Sequence, residues 1–228
     1  MINIQVLRIP AEIPNEVWHS LLALVSAERR QQAARFVHQA DAYRSVLGEA
    51  LARVTLGKWT GERPGELVFI RNTYGKPSLI SQPDLPFNVS HSGDWVAVIS
   101  GGHAPLGVDV EKVSPIDMKI AERFFSPLES QMLEAEPAEQ QLETFYRLWT
   151  LKESYIKAIG MGLSMPLDSF SMRRGMDGLW YCPEAPTYQF LSKHLDDGHM
   201  LAATCSAAME LPTQPDVITI EELSSFIL

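Results

Sequence analysis

The sequence has few cysteines and no long apolar run, and these two shortages exclude whole classes of protein. Only Cys182 and Cys205 are present, and their spacing suits no metal site. Two unpaired, buried thiols are the usual state of such cysteines in a reducing compartment. No run of about 18 apolar residues is available to cross a membrane, and the N-terminus does not look like a signal peptide. We therefore expect a cytoplasmic protein with no membrane partner.

An excess of positive charge is also missing. The chain of 228 residues carries 19 Lys and Arg against 28 Asp and Glu, a formal net charge of -9 at pH 7. Because nucleic acids attract clustered positive charge, this composition argues against a nucleic-acid partner. It does not favour an acidic protein partner either, so local basic or apolar patches would have to bind one. The chain is long enough to bury a sizeable core.

The most informative stretch is residues 145–158, which predicts a helix with two acid or base groups on one surface. Trp149, Glu153 and Lys157 recur every four residues, so the carboxylate and the ammonium lie one turn apart. Apolar residues flank this stripe, and we expect the helix to be mostly buried. Taken alone, the stretch is more simply interpreted as an ordinary ion pair contributing about 0.2–0.5 kcal/mol.

A second acidic stretch lies upstream, at residues 107–112. Alternation along a strand sends its two valines to one face and Asp109 and Glu111 to the other, which sets the carboxylates about 7 Å apart. Such a pair favours a cation between them, and oxygen-only ligands suit Mg²⁺ better than zinc. The alternative is a solvent-facing edge strand with Lys112 as the counter-ion.

The other patterns predict helices and strands in alternation. Helical spacing is found at residues 14–24, and a second helix follows with Ser26 as its N-cap. A long helix is expected from Asp41, as its cap, to Gly57. We also expect paired strands at 87–90 and 95–99, a helix at 116–125 and a hairpin turn at 196–198.

The segment at residues 101–105 is the best candidate boundary, because it is rich in small residues and turn formers and falls near mid-chain. Beyond it the order strand, short helix, long helix begins again, and an Arg-Phe pair precedes each long helix. This weak repeat predicts an α+β fold with two similar halves, residues 1–104 and 105–228. We expect a pseudo-two-fold axis to relate the halves and the active site to lie in the cleft between them.

These motifs together resemble the signature of the 4′-phosphopantetheinyl transferases, in particular the larger, Sfp-type class. The main match is Gly107-Val-Asp-Val-Glu-Lys112, followed roughly forty residues later by Trp149-Thr-Leu-Lys-Glu-Ser-Tyr-Ile-Lys157. Further matches are Tyr74-Gly-Lys-Pro77, Phe87-Asn-Val-Ser-His-Ser-Gly93 and Arg123-Phe-Phe-Ser126. The resemblance therefore runs, in order, over nearly the whole chain.

The resemblance implies a Mg²⁺-dependent transfer of the 4′-phosphopantetheine arm of coenzyme A to a serine of an acyl or peptidyl carrier protein. The product released is 3′,5′-ADP, and the carrier would serve fatty-acid, polyketide or peptide synthesis. Asp109, Glu111 and Glu153 match the family's metal ligands. Glu153 is also expected to accept the serine proton, directly or through a metal-bound water, and Lys157 to stabilise the leaving oxygen.

For coenzyme A itself, the family pattern points to a larger set: Arg29, Arg44, Ser45, Lys76, Ser90, His91, Lys152 and Lys157. Gln32 stands where a second lysine is usual, which is expected to weaken the grip on the adenosine 3′-phosphate. Trp149 is assigned to packing, and Glu129 is a candidate carboxylate behind the site.

The resemblance leaves one other catalytic reading open. A Mg²⁺-dependent phosphohydrolase acting on coenzyme A or a related nucleotide would use the same three carboxylates, with water as the nucleophile. Such an enzyme would not need a surface for a carrier protein. In either case we expect the protein to act as a monomer.

Overall fold

The computed structural model describes residues 1–227 as helices packed on strands in two halves. The helices are α1 (Asn15–Leu24), α2 (Ala27–Ala33), α3 (Gln39–Thr60), α4 (Ile120–Phe124), α5 (Pro127–Ala135), α6 (Ala138–Ile159) and α7 (Ile220–Ser225). The strands are β1 (Ile2–Arg8), β2 (Phe69–Arg71), β3 (Pro77–Leu79), β4 (Phe87–Ser92), β5 (Trp95–Gly101), β6 (Leu106–Lys112), β7 (Arg173–Arg174), β8 (Trp180–Tyr181), β9 (Tyr188–Asp196), β10 (His199–Ser206) and β11 (Asp216–Ile218). The predicted α+β fold is confirmed.

Each half places one long helix on one sheet. The first sheet has the order β11-β1-β5-β4 and carries α3, and the second has the order β6-β10-β9-β8-β7 and carries α6. Both helices have 22 residues. Strand β11 runs parallel to β1, whereas the pairs of the second sheet are antiparallel. No helix within residues 1–227 has both the length and the apolar character needed to cross a membrane.

Three of the four apolar clusters found in residues 1–227 hold these layers together. One lies between α3 and the first sheet, a second lies between α6 and the second sheet, and a third lies between the two sheets. Val108 and Val110 of β6 belong to the third cluster. The alternation predicted for the acidic strand is therefore observed, with its valines in the core and its carboxylates on the opposite face.

Strands β4 and β6 are neighbouring edges of the two sheets, and polar side chains join them. Backbone N–H groups of β6 donate to side-chain oxygens of β4 in three pairs: Val108 to Asn88 (3.0 Å), Val110 to Ser90 (3.3 Å) and Lys112 to Ser92 (3.1 Å). Because strand side chains repeat every two residues, one polar face of β4 satisfies N–H groups that an edge strand would leave open. This joint brings the two halves together beside the acidic strand.

Several helix boundaries differ from the sequence prediction. Helix α3 begins at Gln39, two residues before Asp41, and Asp41 binds the Arg44 guanidinium within the first turn instead of capping the helix. The helix continues past Gly57 to Thr60 and ends at Gly61, which has the left-handed φ of 75°. Ser26 does cap α2, since its side chain accepts the Arg29 backbone N–H. Between residues 116 and 125, the α-helix covers only Ile120–Phe124.

The C-terminal segment returns to the first half. Strand β11 pairs with β1, and Leu223 of α7 is fully buried in the apolar cluster beneath α3. Elements β11 and α7 therefore complete the first half, although they follow the second half in sequence. The division of the chain after residue 104 stays a prediction.

Candidate active site

A cleft with a volume of about 780 Å³ opens between the two halves. Its walls come from α2, α3 and β4 of the first half and from β6 and α6 of the second. The predicted site residues that line it are Arg29, Ser45, Ser90, His91, Asp109, Glu111, Glu153 and Lys157. The fold thus brings the acidic strand, the polar stripe of α6 and several of the basic residues into one cavity.

Gly107 allows β6 and α6 to approach closely. A Cβ atom at this position would lie 2.1 Å from the Ser154 carbonyl oxygen and 2.6 Å from the Ala158 nitrogen, so no other residue fits without displacing the helix. The approach places Lys157 Nζ 2.6 Å from Asp109 Oδ1. The polar stripe of α6 therefore faces the carboxylates of β6.

Ser90 ties this pair to the first half. Its Oγ donates to Asp109 Oδ1 over 2.9 Å and accepts from Lys157 Nζ over 2.8 Å and from the Val110 N–H over 3.3 Å. A hydroxyl has one proton and two lone pairs, so all three positions are in use. Ser90 would have to give up one of these bonds to hold a phosphate.

Two carboxyl groups of the cleft, those of Glu111 and Glu153, are disfavoured in their ionised forms. Burial, and then the charge of Asp109, raises the pKa of Glu111 to about 7, and the same two causes raise the pKa of Glu153. Among the described residues, Asp109 Oδ2 is buried without a hydrogen-bond partner. A cation bound by these oxygens would stabilise the ionised carboxylates and give Asp109 Oδ2 a partner.

The donor set fits a hard cation chemically, because every candidate ligand is a carboxylate oxygen. Across residues 1–227, however, no three His, Cys, Asp or Glu side chains are grouped closely enough to hold a metal ion. Lys157 Nζ contacts Asp109, and Ser92 Oγ donates to Glu111 Oε2 over 2.7 Å. The metal triad of Asp109, Glu111 and Glu153 therefore stays a prediction.

The opposite wall of the cleft carries the basic group Arg29. Its Nε donates to Glu49 Oε2 over 3.1 Å, and its Nη1 donates to Ser45 Oγ over 2.9 Å and to Gln32 Oε1 over 3.0 Å. Glu49 also pairs with the buried Arg53 at 2.9 Å. Glu49 and Arg53 were not predicted from the sequence, although the four-residue spacing of Ser45, Glu49 and Arg53 places them on one face of α3.

His91 faces the cleft between the basic and acidic ends. Desolvation lowers the pKa of its imidazole, and the charges of Lys157, Arg44 and Arg29 lower that pKa further. The positive charges of these three residues near the imidazole favour the binding of an anionic ligand. Arg44 does not line the cleft; it binds Asp41 and donates to the Gly93 carbonyl oxygen over 2.7 Å.

Lys76 is not among the residues that line the cleft, and its role in binding coenzyme A stays a prediction. Its ammonium donates to the carbonyl oxygens of Lys157 (2.6 Å), Ala158 (2.9 Å) and Leu106 (3.4 Å). Burial lowers its pKa to about 8. Lys76 thus caps the C-terminal end of α6, where free carbonyl groups attract a cation.

The assignment of Lys152 to a phosphate contact is wrong. Its side chain is fully buried, and its Nζ lies 2.7 Å from Glu129 Oε2. The same ammonium donates to the carbonyl oxygens of Leu167 and Phe170 over 2.8 and 2.6 Å. Lys152 and Glu129 together fix a buried side of α6 that lies about 100° around the helix axis from the stripe that faces the cleft.

Trp149, a residue of α6, lines the cleft and also packs against aromatic side chains of α6 and α4. Its ring stacks on Phe145 at a centroid distance of 5.9 Å and meets the edge of Phe124 at 5.4 Å. The packing role predicted for Trp149 is compatible with these contacts.

Both halves of the chain match known sequence families. Residues 105–204 match the 4′-phosphopantetheinyl transferase superfamily, and residues 13–103 match the family described as 4′-phosphopantetheinyl transferase, N-terminal. The chain is 40% identical over 205 residues to a 4′-phosphopantetheinyl transferase of Bacillus subtilis, covering 89% of this chain and 91% of that protein.

Two further relatives show the same similarity. Identity is 37% over 204 residues to 4′-phosphopantetheinyl transferase Sfp of Bacillus subtilis (strain 168), covering 89% of this chain and 91% of that protein. Identity is 42% over 170 residues to 4′-phosphopantetheinyl transferase gsp of Aneurinibacillus migulanus, covering 75% of this chain and 70% of that protein. These matches give no support to the phosphohydrolase alternative. The chain belongs to the 4′-phosphopantetheinyl transferase family and to its Sfp-type class.

Proposed function

We propose that this cleft transfers the 4′-phosphopantetheine arm of coenzyme A to a serine hydroxyl of an acyl or peptidyl carrier protein. The observation that carries the proposal is the junction of Ser90, Asp109 and Lys157, with Glu111 and Glu153 in the same cavity. It combines acid, base and charge-stabilising groups at one end of a cleft whose other end is cationic. A donor with a pyrophosphate and a nucleotide phosphate matches both ends.

The transfer forms a bond between the serine oxygen and the phosphorus next to pantetheine. It breaks the bond from that phosphorus to the bridging oxygen of the pyrophosphate, and 3′,5′-ADP leaves. Glu153 accepts the serine proton, because a carboxylate with a raised pKa is a stronger base at neutral pH. Lys157 stabilises the charge on the leaving phosphate, and Asp109 and Ser90 hold its ammonium in place.

Asp109, Glu111 and Glu153 would hold Mg²⁺ through their carboxylate oxygens, including Asp109 Oδ2, which has no hydrogen-bond partner in the described part of the chain. When bound, the ion stabilises negative charge on the pyrophosphate oxygens as a Lewis acid. The chain keeps two of these ligands oriented, because Ser90 donates to Asp109 and Ser92 donates to Glu111.

Arg29, Ser45 and His91 bind the nucleotide phosphates in this proposal. Gln32 accepts a hydrogen bond from Arg29, so this position orients the guanidinium instead of adding a second cation. Arg44 supports the same end through Gly93. We also infer a monomer, because one chain supplies both walls of the cleft. A cytoplasmic location is consistent with the two free thiols, Cys182 and Cys205.

Mass spectrometry of apo-carrier proteins incubated with the purified protein, coenzyme A and Mg²⁺ tests the proposal. We expect a mass gain of one phosphopantetheine arm on a carrier, loss of this activity in EDTA and recovery with Mg²⁺. Asp109→Ala should lower kcat on the order of 10²-fold or more, about 3 kcal/mol. Asp84→Ala, at an exposed position outside the cleft, is the matched control. Full activity in EDTA would contradict the role of the metal.

A further inference from the structure

The buried His199 and the partly exposed Asp196 form a pair at the turn between β9 and β10 that the proposed chemistry does not use. His199 Nδ1 lies 2.8 Å from Asp196 Oδ1, and Trp95 Nε1 donates to Asp196 Oδ2 over 2.9 Å. Although burial raises the pKa of Asp196, the hydrogen bonds from Trp95 and His199 outweigh it and lower that pKa to about 2. Asp196 is therefore a fixed carboxylate that orients the imidazole.

The other ring nitrogen of His199 reaches across to the first half of the molecule. The backbone N–H of Asp94 donates to His199 Nε2 over 3.2 Å. Because Nε2 accepts a hydrogen bond here, it carries no proton, so the ring proton lies on Nδ1 and points to Asp196. The imidazole thus connects the β9–β10 hairpin to the turn between β4 and β5.

That turn supports the part of the cleft wall formed by His91. Its Gly93 has a left-handed φ of 53°, and a Cβ atom there would lie 2.3 Å from His199 Nε2, so the turn packs directly on the imidazole. The Gly93 carbonyl oxygen accepts from Arg44 Nη1 over 2.7 Å. His91 lies two residues before Gly93 and faces the cleft.

We propose that His199, oriented by Asp196, is a positioning residue for coenzyme A binding, because it fixes the turn that anchors Arg44 and carries His91. The inference rests on the proposed function of the cleft. It assigns the β9–β10 hairpin, which lies outside the cleft, a part in recognising the nucleotide end of the donor.

The acidic end of the cleft also has supports that do not involve His199. Ser92 holds Glu111, and Ser92 is itself fixed by the Lys112 N–H and by strand pairing with Trp95. Loss of the His199 bond should therefore disturb nucleotide binding more than the chemical step. If His199 only stabilised the fold, its loss would lower the melting temperature without this selective effect on nucleotide binding.

Two amide substitutions isolate the bond to Asp94. In His199→Gln the side-chain oxygen extends to the Nε2 position, whereas in His199→Asn the amide ends near Nδ1 and leaves the Asp94 N–H without a partner. We expect His199→Asn to raise the KM for coenzyme A and the Kd for 3′,5′-ADP about tenfold, equivalent to 1.4 kcal/mol. Its kcat should change less than about threefold, and His199→Gln should stay within about twofold of wild type in all three.

The Kd is measured by calorimetry with 3′,5′-ADP alone, without Mg²⁺ or carrier protein. His194→Asn is the matched control, because His194 lies on the same hairpin but contacts Glu143 and Arg147 of α6. If His199→Asn proves unstable, Asp196→Asn should shift the Kd in the same direction, since it weakens the orientation of the ring.

An unchanged Kd in a folded His199→Asn protein would overturn the inference, as would equal effects of His199→Asn and His199→Gln. A wild-type protein that binds 3′,5′-ADP but modifies no carrier would instead defeat the proposed transfer reaction and leave the positioning role standing.

Discussion

Glu111 shows a conflict between function and stability at the scale of one residue. Burial and the neighbouring Asp109 raise its pKa to about 7, so the folded protein disfavours its ionised form. The unfolded chain ionises this carboxyl near pH 4.5. An ionisable group that is retained although the fold disfavours its charged form is typical of a functional site and not of a residue selected for stability.

Glu111→Gln should therefore stabilise the metal-free protein while lowering transfer activity. A raised folded-state pKa means that wild-type stability is full below about pH 4.5 and is lost as the pH rises towards about 7. The melting temperature of the variant in EDTA should exceed that of wild type by a margin that grows over this range and levels off above it. Thermal melts at several pH values check this, and a margin independent of pH would contradict it.

At the scale of a secondary-structure element, the C-terminal end of α6 depends on a residue of the other half. Lys76 follows β2 in a turn of the first half, and its ammonium binds the carbonyl oxygens of Lys157 and Ala158. Asn72 of the same turn donates to the Gly160 carbonyl oxygen over 3.3 Å. The turn thus fixes the position of the helix that presents Glu153 and Lys157.

Lys76→Met should lower stability by about 1–3 kcal/mol, because buried carbonyl groups lose their donor. It should also lower kcat more than it raises the KM for coenzyme A, since Lys157 shifts with the helix end. Steady-state kinetics and urea denaturation give both values, with the exposed Lys119→Met as the control. If Lys76 contacts coenzyme A directly instead, the KM will rise and kcat will change little.

At the scale of the whole molecule, the two halves are interlocked. The chain leaves the first half after β5, builds the second, and returns to add β11 and α7 to the first. Leu223 is the fully buried residue of α7. The first half therefore folds completely only when the end of the chain is in place.

Leu223→Ala should destabilise the protein by about 2–5 kcal/mol, as expected when a buried leucine leaves a cavity. The loss should appear in the first half, although the substitution lies in the last turns of the chain. Hydrogen exchange resolved by peptide checks its location, with Ser225→Ala at an exposed position of the same helix as the control. Faster exchange confined to α7, with α3 unchanged, would show that the tail is only a surface attachment.

Local periodicity carried much of the sequence prediction. The alternation of β6 and the four-residue spacing of Glu153 and Lys157 depend only on backbone geometry, which is the same in every strand or helix. The Ser26 cap and the turn at residues 196–198 follow from short-range hydrogen bonding in the same way. The sequence by itself therefore determined which residues share a face and which family the chain resembles.

The tertiary structure decided what each long side chain contacts. Lys152 lies about 100° around the axis of α6 from the stripe that faces the cleft. Its pairing with Glu129 places this side of the helix in the core. Lys76 reaches carbonyl groups 81 and 82 residues away in sequence. The joint between β4 and β6, and the bond from Asp94 to His199, likewise join distant segments. No local pattern specifies such contacts, because they depend on which elements the fold places side by side.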